Sequence, residues 1–177
     1  MVPWRDPAGD VARWFPGANR SETEIRILSA LRPELAQRLG RPPTAGENAL
    51  HLHRVLRNAQ LLGEVATQRV KGESGAVELS VAIDSDRRLR GVRIQRIREP
   101  AAVTAALGEA WLASFRGLIV DDPNPWRQRV GVLPPPAQET ARAVAEGIRE
   151  VLILRQLADA PGAIRRLSPE SSATHLH

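Results

Sequence analysis

The stretch from Gly75 to Gly117, GAVELSVAIDSDRRLRGVRIQRIREPAAVTAALGEAWLASFRG, restricts the fold more than any other part of the chain. From Ala76 to Asp84, Val77, Leu79, Val81 and Ile83 alternate with Ala76, Glu78, Ser80 and Ala82, which is the period of a half-buried strand. Asp84-Ser85-Asp86 supplies short acceptor side chains that bond their own backbone in a turn, and Leu89 to Ile97 returns as a second extended run. The pair predicts a hairpin. Pro100 stops the second strand, and Val103, Leu107, Trp111 and Phe115 then recur every four residues, predicting one amphipathic helix over about 102–116 that covers the sheet. A hairpin with a covering helix is the nucleus of an α+β domain.

The flanking segments extend that plan. Asn48–Leu56 and Gln60–Val70 read as two more strands around an Arg57-Asn58-Ala59 turn, with Gly63 marking a bulge or a close backbone approach. Ser21-Glu-Thr-Glu24 has the spacing of a capping box, so residues 21–47 read as a helical segment, kinked or split at Pro33 and ended by Gly40 and Pro42-Pro43. Residues 1–20 read as an irregular N-terminal arm and 118–129 as loop. After Pro134-Pro135-Pro136 a long helix is expected from about Ala137 to Leu157, on Val144, Ile148, Val151, Leu152 and Leu154. Residues 159–177 read as a flexible tail. The expected architecture is α+β: a twisted antiparallel sheet of four to six strands, a covering helix and a long C-terminal helix, with the main domain over 48–158.

Composition removes several classes of function. At 177 residues the chain holds one domain, and with no Cys it has no disulfide, iron–sulfur cluster, thiolate zinc site or cysteine nucleophile. Its longest apolar run, Val151-Leu-Ile-Leu154, falls far short of a membrane span, and the opening residues lack the pattern of a signal peptide. A cytoplasmic location, or one peripheral to a membrane, is the expectation. His51 and His53 share a strand face at i, i+2, a spacing that serves two metal ligands, but no third ligand stands near, so no metal site is expected. No nucleophile–base pair, phosphate loop or paired-carboxylate pattern is present.

Two features suggest contact surfaces. Trp4, Trp14 and Phe15 are large apolar groups on the arm, able to pin it to its own domain or to meet a partner. The run from Arg87 to Arg98 carries six arginines, Arg90, Arg93 and Arg96 among them, suited to a solvated strand face, an acidic protein surface or anionic lipid. With no Tyr, scarce Phe and no recognition signature, nucleic acid is not the expected partner.

The Val-Ala-Ile-Asp strand, the Leu-Arg-Gly-Val-Arg-Ile strand, Arg98-Glu99-Pro100 and the Trp-Leu-Ala-Ser-Phe-Arg-Gly helix end resemble the FMN-binding domain family. That family includes the flavin-carrying C and G subunits of sodium-pumping and ferredoxin-oxidising membrane complexes, and many small exported flavoproteins. Trp-Phe-Pro-Gly-Ala and Arg-Asn-Ala-Gln-Leu-Leu-Gly-Glu-Val extend the resemblance over about residues 14–158. The family's flavin attachment motif, close to Thr-Gly-Ala-Thr followed by Ser or Thr, aligns with Pro135, Pro136, Ala137 and Gln138, then Glu139 and Thr140. Gln138 has no hydroxyl to esterify, and the prolines remove amide donors that would wrap a phosphate. The resemblance therefore implies a degenerate site without covalent FMN. If FMN is bound, Glu99, Trp111 and Thr140 are its expected contacts. Two functions compete: a non-catalytic accessory or stabilising subunit, without cofactor, of a larger membrane-associated redox or energy-converting complex, or an electron-transfer flavoprotein holding FMN non-covalently. A free-standing ligand-binding module is a third, requiring an apolar cavity.

Overall fold

The computed structural model describes residues 8–121, 124–167 and 174–175; Trp4 lies outside them. Strands β1 (Arg20–Ile27), β2 (Ala49–Arg57), β3 (Gln60–Lys71), β4 (Ala76–Asp84), β5 (Leu89–Ile97) and β6 (Ile164–Leu167) form one antiparallel sheet. Its order is β5-β4-β3-β2-β1-β6, with a two-residue β7 (Thr174–His175) also on β1. The helices are α1 (Ala8–Trp14), α2 (Arg32–Leu39), α3 (Ala101–Ala106), α4 (Glu109–Ala113), α5 (Asn124–Gly131) and α6 (Pro135–Leu157). The α+β class and the long C-terminal helix match expectation.

The β4–β5 hairpin forms as its sequence dictates. Asp84 Oδ1 accepts from the amides of Asp86 and Arg88 at 2.9 and 3.0 Å, and Arg87 takes a left-handed φ of 65°. The stripe beyond Pro100 is buried throughout, but it is not one helix: the backbone is extended at Gly108, splitting it into α3 and α4. Four-residue spacing survives such a break because both short helices turn the same residues inward.

The segment read as helical from residue 21 opens instead as strand β1. Glu24 occupies an inward position and is fully buried, held by Arg26, Arg54 and Arg165, so the strand's inner face is charged rather than apolar and its period-2 signal is hidden. The helix starts at Arg32, where Pro33 falls in the first turn and its missing N–H costs no bond. The capping box lies later, at Thr44 and Glu47. The tail is not free either: β6 pairs with β1 from Ile27↔Ile164 to Glu24↔Leu167.

The inner face of the sheet packs on α6, around Leu28, Leu52, Leu79, Ile83, Ile148 and Ile153. Within this layer Arg155 of α6 makes a buried, two-pronged ion pair with Glu64 of β3. Burial alone would depress the Arg155 guanidinium, but Glu64 and Asp159 together raise it. The outer face carries α1, a helix where an irregular arm was expected. Val11, Trp14 and Phe15 close a second cluster with Val55, Val65 and Ala82, so β4 is buried on both faces at this end. Trp14 stands over Gly91 and Phe15 over Gly63, and any side chain at either glycine would overlap a ring.

Candidate functional site

The N-terminal turns of α6 present two different faces. Toward the sheet, Thr140 is fully buried; its Oγ1 donates to Glu99 Oε1 at 3.0 Å and accepts from the Glu73 amide at 3.0 Å. Glu99 Oε1 also accepts from the Ser74 amide at 3.0 Å, while the Gly72 amide closes the β3–β4 turn on Gly75 O at 2.8 Å. Gly72 lies so close to Glu99 and Thr140 that a side chain there would meet both. Burial alone would push the Glu99 carboxyl up, but hydrogen bonds from Ser74, Thr140 and Gly75 hold it below its ordinary range. Glu99 Oε2 is buried and has no hydrogen-bond partner among the described residues. This corner is a latch that ties the β3–β4 turn, the end of β5 and α6 together.

On its opposite face α6 lines a cleft of about 390 Å³ against α5. Trp126, Arg127, Val130 and Gly131 form one wall, and Gln138, Arg142, Ala145 and Glu146 the other. Trp126 is 4% exposed, and its Nε1 has no partner among the described residues. At the helix start Pro135 and Pro136 carry no N–H, and the Ala137 amide donates to Pro134 O at 2.9 Å. Gln138 Nε2 donates to Leu133 O at 2.9 Å. The first three helical positions thus offer no unpaired amide to an anion.

Glu99 and Thr140 are brought together, but Trp111 is not with them. Its Nε1 donates to Arg129 O at 2.9 Å, and its ring packs edge-on to Phe115 at 5.0 Å, with Trp126 5.5 Å beyond Phe115. Trp14 and Phe15 are buried on their own sheet, Arg90 Nε donates to Trp14 O at 3.1 Å, and Arg93 bonds Asp10 at 2.5 Å. Arg96 is exposed. His51 is exposed on the outer sheet face, and no group of three or more His, Asp or Glu with metal-holding geometry occurs among the described residues. The cleft residues Trp126, Arg127 and Arg142 were not singled out by sequence. The signal was the Trp126–Val130 spacing, hidden by reading residues 118–129 as loop.

An antiparallel sheet with its last long helix laid across one face, and a cleft beside that helix's first turns, defines the architectural class. The chain is similar to the crystal structure of Shewanella oneidensis NqrC, with a TM-score of 0.54 and 12% sequence identity over 89% of this chain and 90% of that one. At this identity the likeness is one of fold. No protein-family model matches the sequence, and the search of curated proteins returns no match.

Proposed function

We propose that this protein is a non-catalytic accessory subunit, built on the FMN-binding domain fold, of a membrane-associated redox or energy-converting complex. The fold shared with NqrC and the resemblance to flavin-carrying C and G subunits supply the class of assembly. The observation that carries the loss of cofactor is the start of α6. Where the resembled family tethers FMN, Gln138 brings an amide already bonded to Leu133 O, and the preceding prolines remove the helix-end donors. A covalently held flavin does not fit these residues. Glu99 and Thr140, expected as contacts if FMN is bound, hydrogen-bond each other at 3.0 Å in the internal latch, which supports a structural role for the pair. On this reading the subunit is cytoplasmic or peripheral to the membrane; no helix among the described residues is long and apolar enough to cross one.

A second reading, FMN held non-covalently, is favoured by the α5–α6 cleft, whose volume is within the usual range for ligand pockets. Arg127 and Arg142 have no acidic partner among the described residues and stand on opposite walls, with Trp126 beside them.

The subunit reading is tested by tagging the chain in its own cell and purifying it from detergent-solubilised membranes. Recovery of a stoichiometric multi-subunit complex with NADH- or ferredoxin-dependent electron transfer supports it. A chain that elutes alone under mild detergent, at native expression, refutes it.

A further inference from the structure

Among the described residues, helix α1 covers one end of the outer face of the sheet. Alternation along the strands places the odd-numbered residues of β1, β2 and β3 outward, where His53 lies opposite Val65, itself part of the outer cluster. Helix α1 closes the end that contains Gly63, Val65, Ala82 and Gly91. Beyond it the same face continues through Thr23 and Ile25 of β1, His51 and His53 of β2, and Thr67, Arg69 and Lys71 of β3. It ends on Arg96 of β5, paired across β4 as Arg69↔Glu78↔Arg96, and on Arg166 of β6, opposite Ile25.

The charge on this open half is one-sided. Arg69, Lys71, Arg96 and Arg166 are all exposed and have no ion-pair or hydrogen-bond partner among the described residues, against the single carboxylate of Glu78. On the same face Arg93 is paired with Asp10, and on the inner face Arg54 meets Glu22 and Glu24 and Arg165 meets Glu24. A sheet face on which four exposed cations have no acidic partner among the described residues, while Arg93 beside them is paired with Asp10, suits a complement outside the chain.

We infer that the open half of the outer sheet face, centred on Arg69 and Arg96, docks an acidic segment of a partner protein. The shape selects protein over bilayer. Helix α1 rises about 10 Å from the strands on the same face, so the basic half is a shelf beside a wall, which a planar membrane resting on α1 does not enter. An acidic helix or loop lies on it with α1 as its stop. Guanidinium groups on adjacent strands suit carboxylates, which they meet in planar, two-pronged fashion. The inference rests on the accessory-subunit reading only for the kind of partner, not for the surface.

The test uses fluorescence anisotropy of a labelled oligoglutamate peptide titrated with the full chain at low salt. The double variant R69E/R96E is compared with R88E/R116E, which carries the same net charge change in exposed arginines away from this face. The expected result is a loss of affinity of about tenfold or more for R69E/R96E and less than about threefold for R88E/R116E. R69Q/R96Q, which avoids placing new carboxylates beside Glu78, keeps the fold and weakens binding in the same order. Equal weakening by both reversals would mean net charge alone is being read, and overturns the inference, as does absence of peptide binding. Binding to phosphatidylserine-containing vesicles that R69E/R96E abolishes, with peptide binding untouched, overturns it in favour of a bilayer. If the tagged chain co-purifies with a redox complex and R69E/R96E leaves that complex intact, this surface assignment fails while the subunit reading stands.

Discussion

Replacing Thr140 by Val removes the latch without opening a cavity, because the two side chains have nearly the same shape. Two hydrogen bonds disappear: the one Thr140 Oγ1 donates to Glu99 and the one it accepts from the Glu73 amide, both 3.0 Å. Thr140 is fully buried, so water does not replace them at that side chain. At about 1 kcal/mol per bond, with a further fraction for the amide left short of a partner, the cost is about 2–3 kcal/mol. For a chain of this size that corresponds to a fall in Tm of about 5–10 °C. Calorimetry or a circular-dichroism melt at neutral pH measures it. A double-mutant cycle with Glu99→Gln isolates the pair, and a coupling of about 1 kcal/mol is expected. A T140V melting point within about 1 °C of the parent, or zero coupling to Glu99, would show that the corner is not a latch.

Other perturbations test separate parts of the account. Glu64→Gln leaves the buried Arg155 with Asp159 as its remaining acidic partner and should cost about 3 kcal/mol, whereas Glu64→Leu with Arg155→Met should recover much of that; urea melts of the single and double variants decide it. The Glu99 carboxyl has a folded pKa below its ordinary value, so its contribution is full above the unfolded pKa near 4.5 and is lost as pH falls through the lower folded value. Between pH 5 and 3 the parent should therefore lose more stability than Glu99→Gln, and parallel acid-denaturation curves would contradict this. Gly91→Val drives a branched side chain into the Trp14 ring, so it should expose Trp14 and shift its fluorescence to the red, with α1 displaced; an unchanged spectrum counts against α1 packing on β5.

The hairpin was legible to the residue because three independent local signals agreed there: period-2 alternation in β4, aspartate chemistry at the turn and a proline stop at Pro100. β1 was not legible, since the residue facing the core is Glu24 and its apolar substitute is a cluster of arginines distant in sequence. The same long-range pairing hid β6, whose four residues are all exposed and gain order only from the edge of β1. At the site, Glu99 and Thr140 could be marked from the family resemblance, but their mutual bond is a tertiary fact. Trp111, expected in the apolar stripe and as a flavin contact if FMN is bound, packs in the Trp111–Phe115–Trp126 ring cluster. Arg90 and Arg93 belong to a run whose sequence suits a solvated face, an acidic protein surface or anionic lipid alike. Only α1, invisible as a helix among Pro and Gly, distinguishes them from Arg96.

The proposed absence of flavin is tested most directly by an absorption spectrum of the protein purified from its own source. A colourless sample is expected, with no flavin bands before acid precipitation and none in either fraction afterwards. Flavin absorbance released to the supernatant would contradict it in favour of FMN bound in the α5–α6 cleft, and colour retained in the pellet would contradict it through a covalent attachment that Gln138 cannot provide.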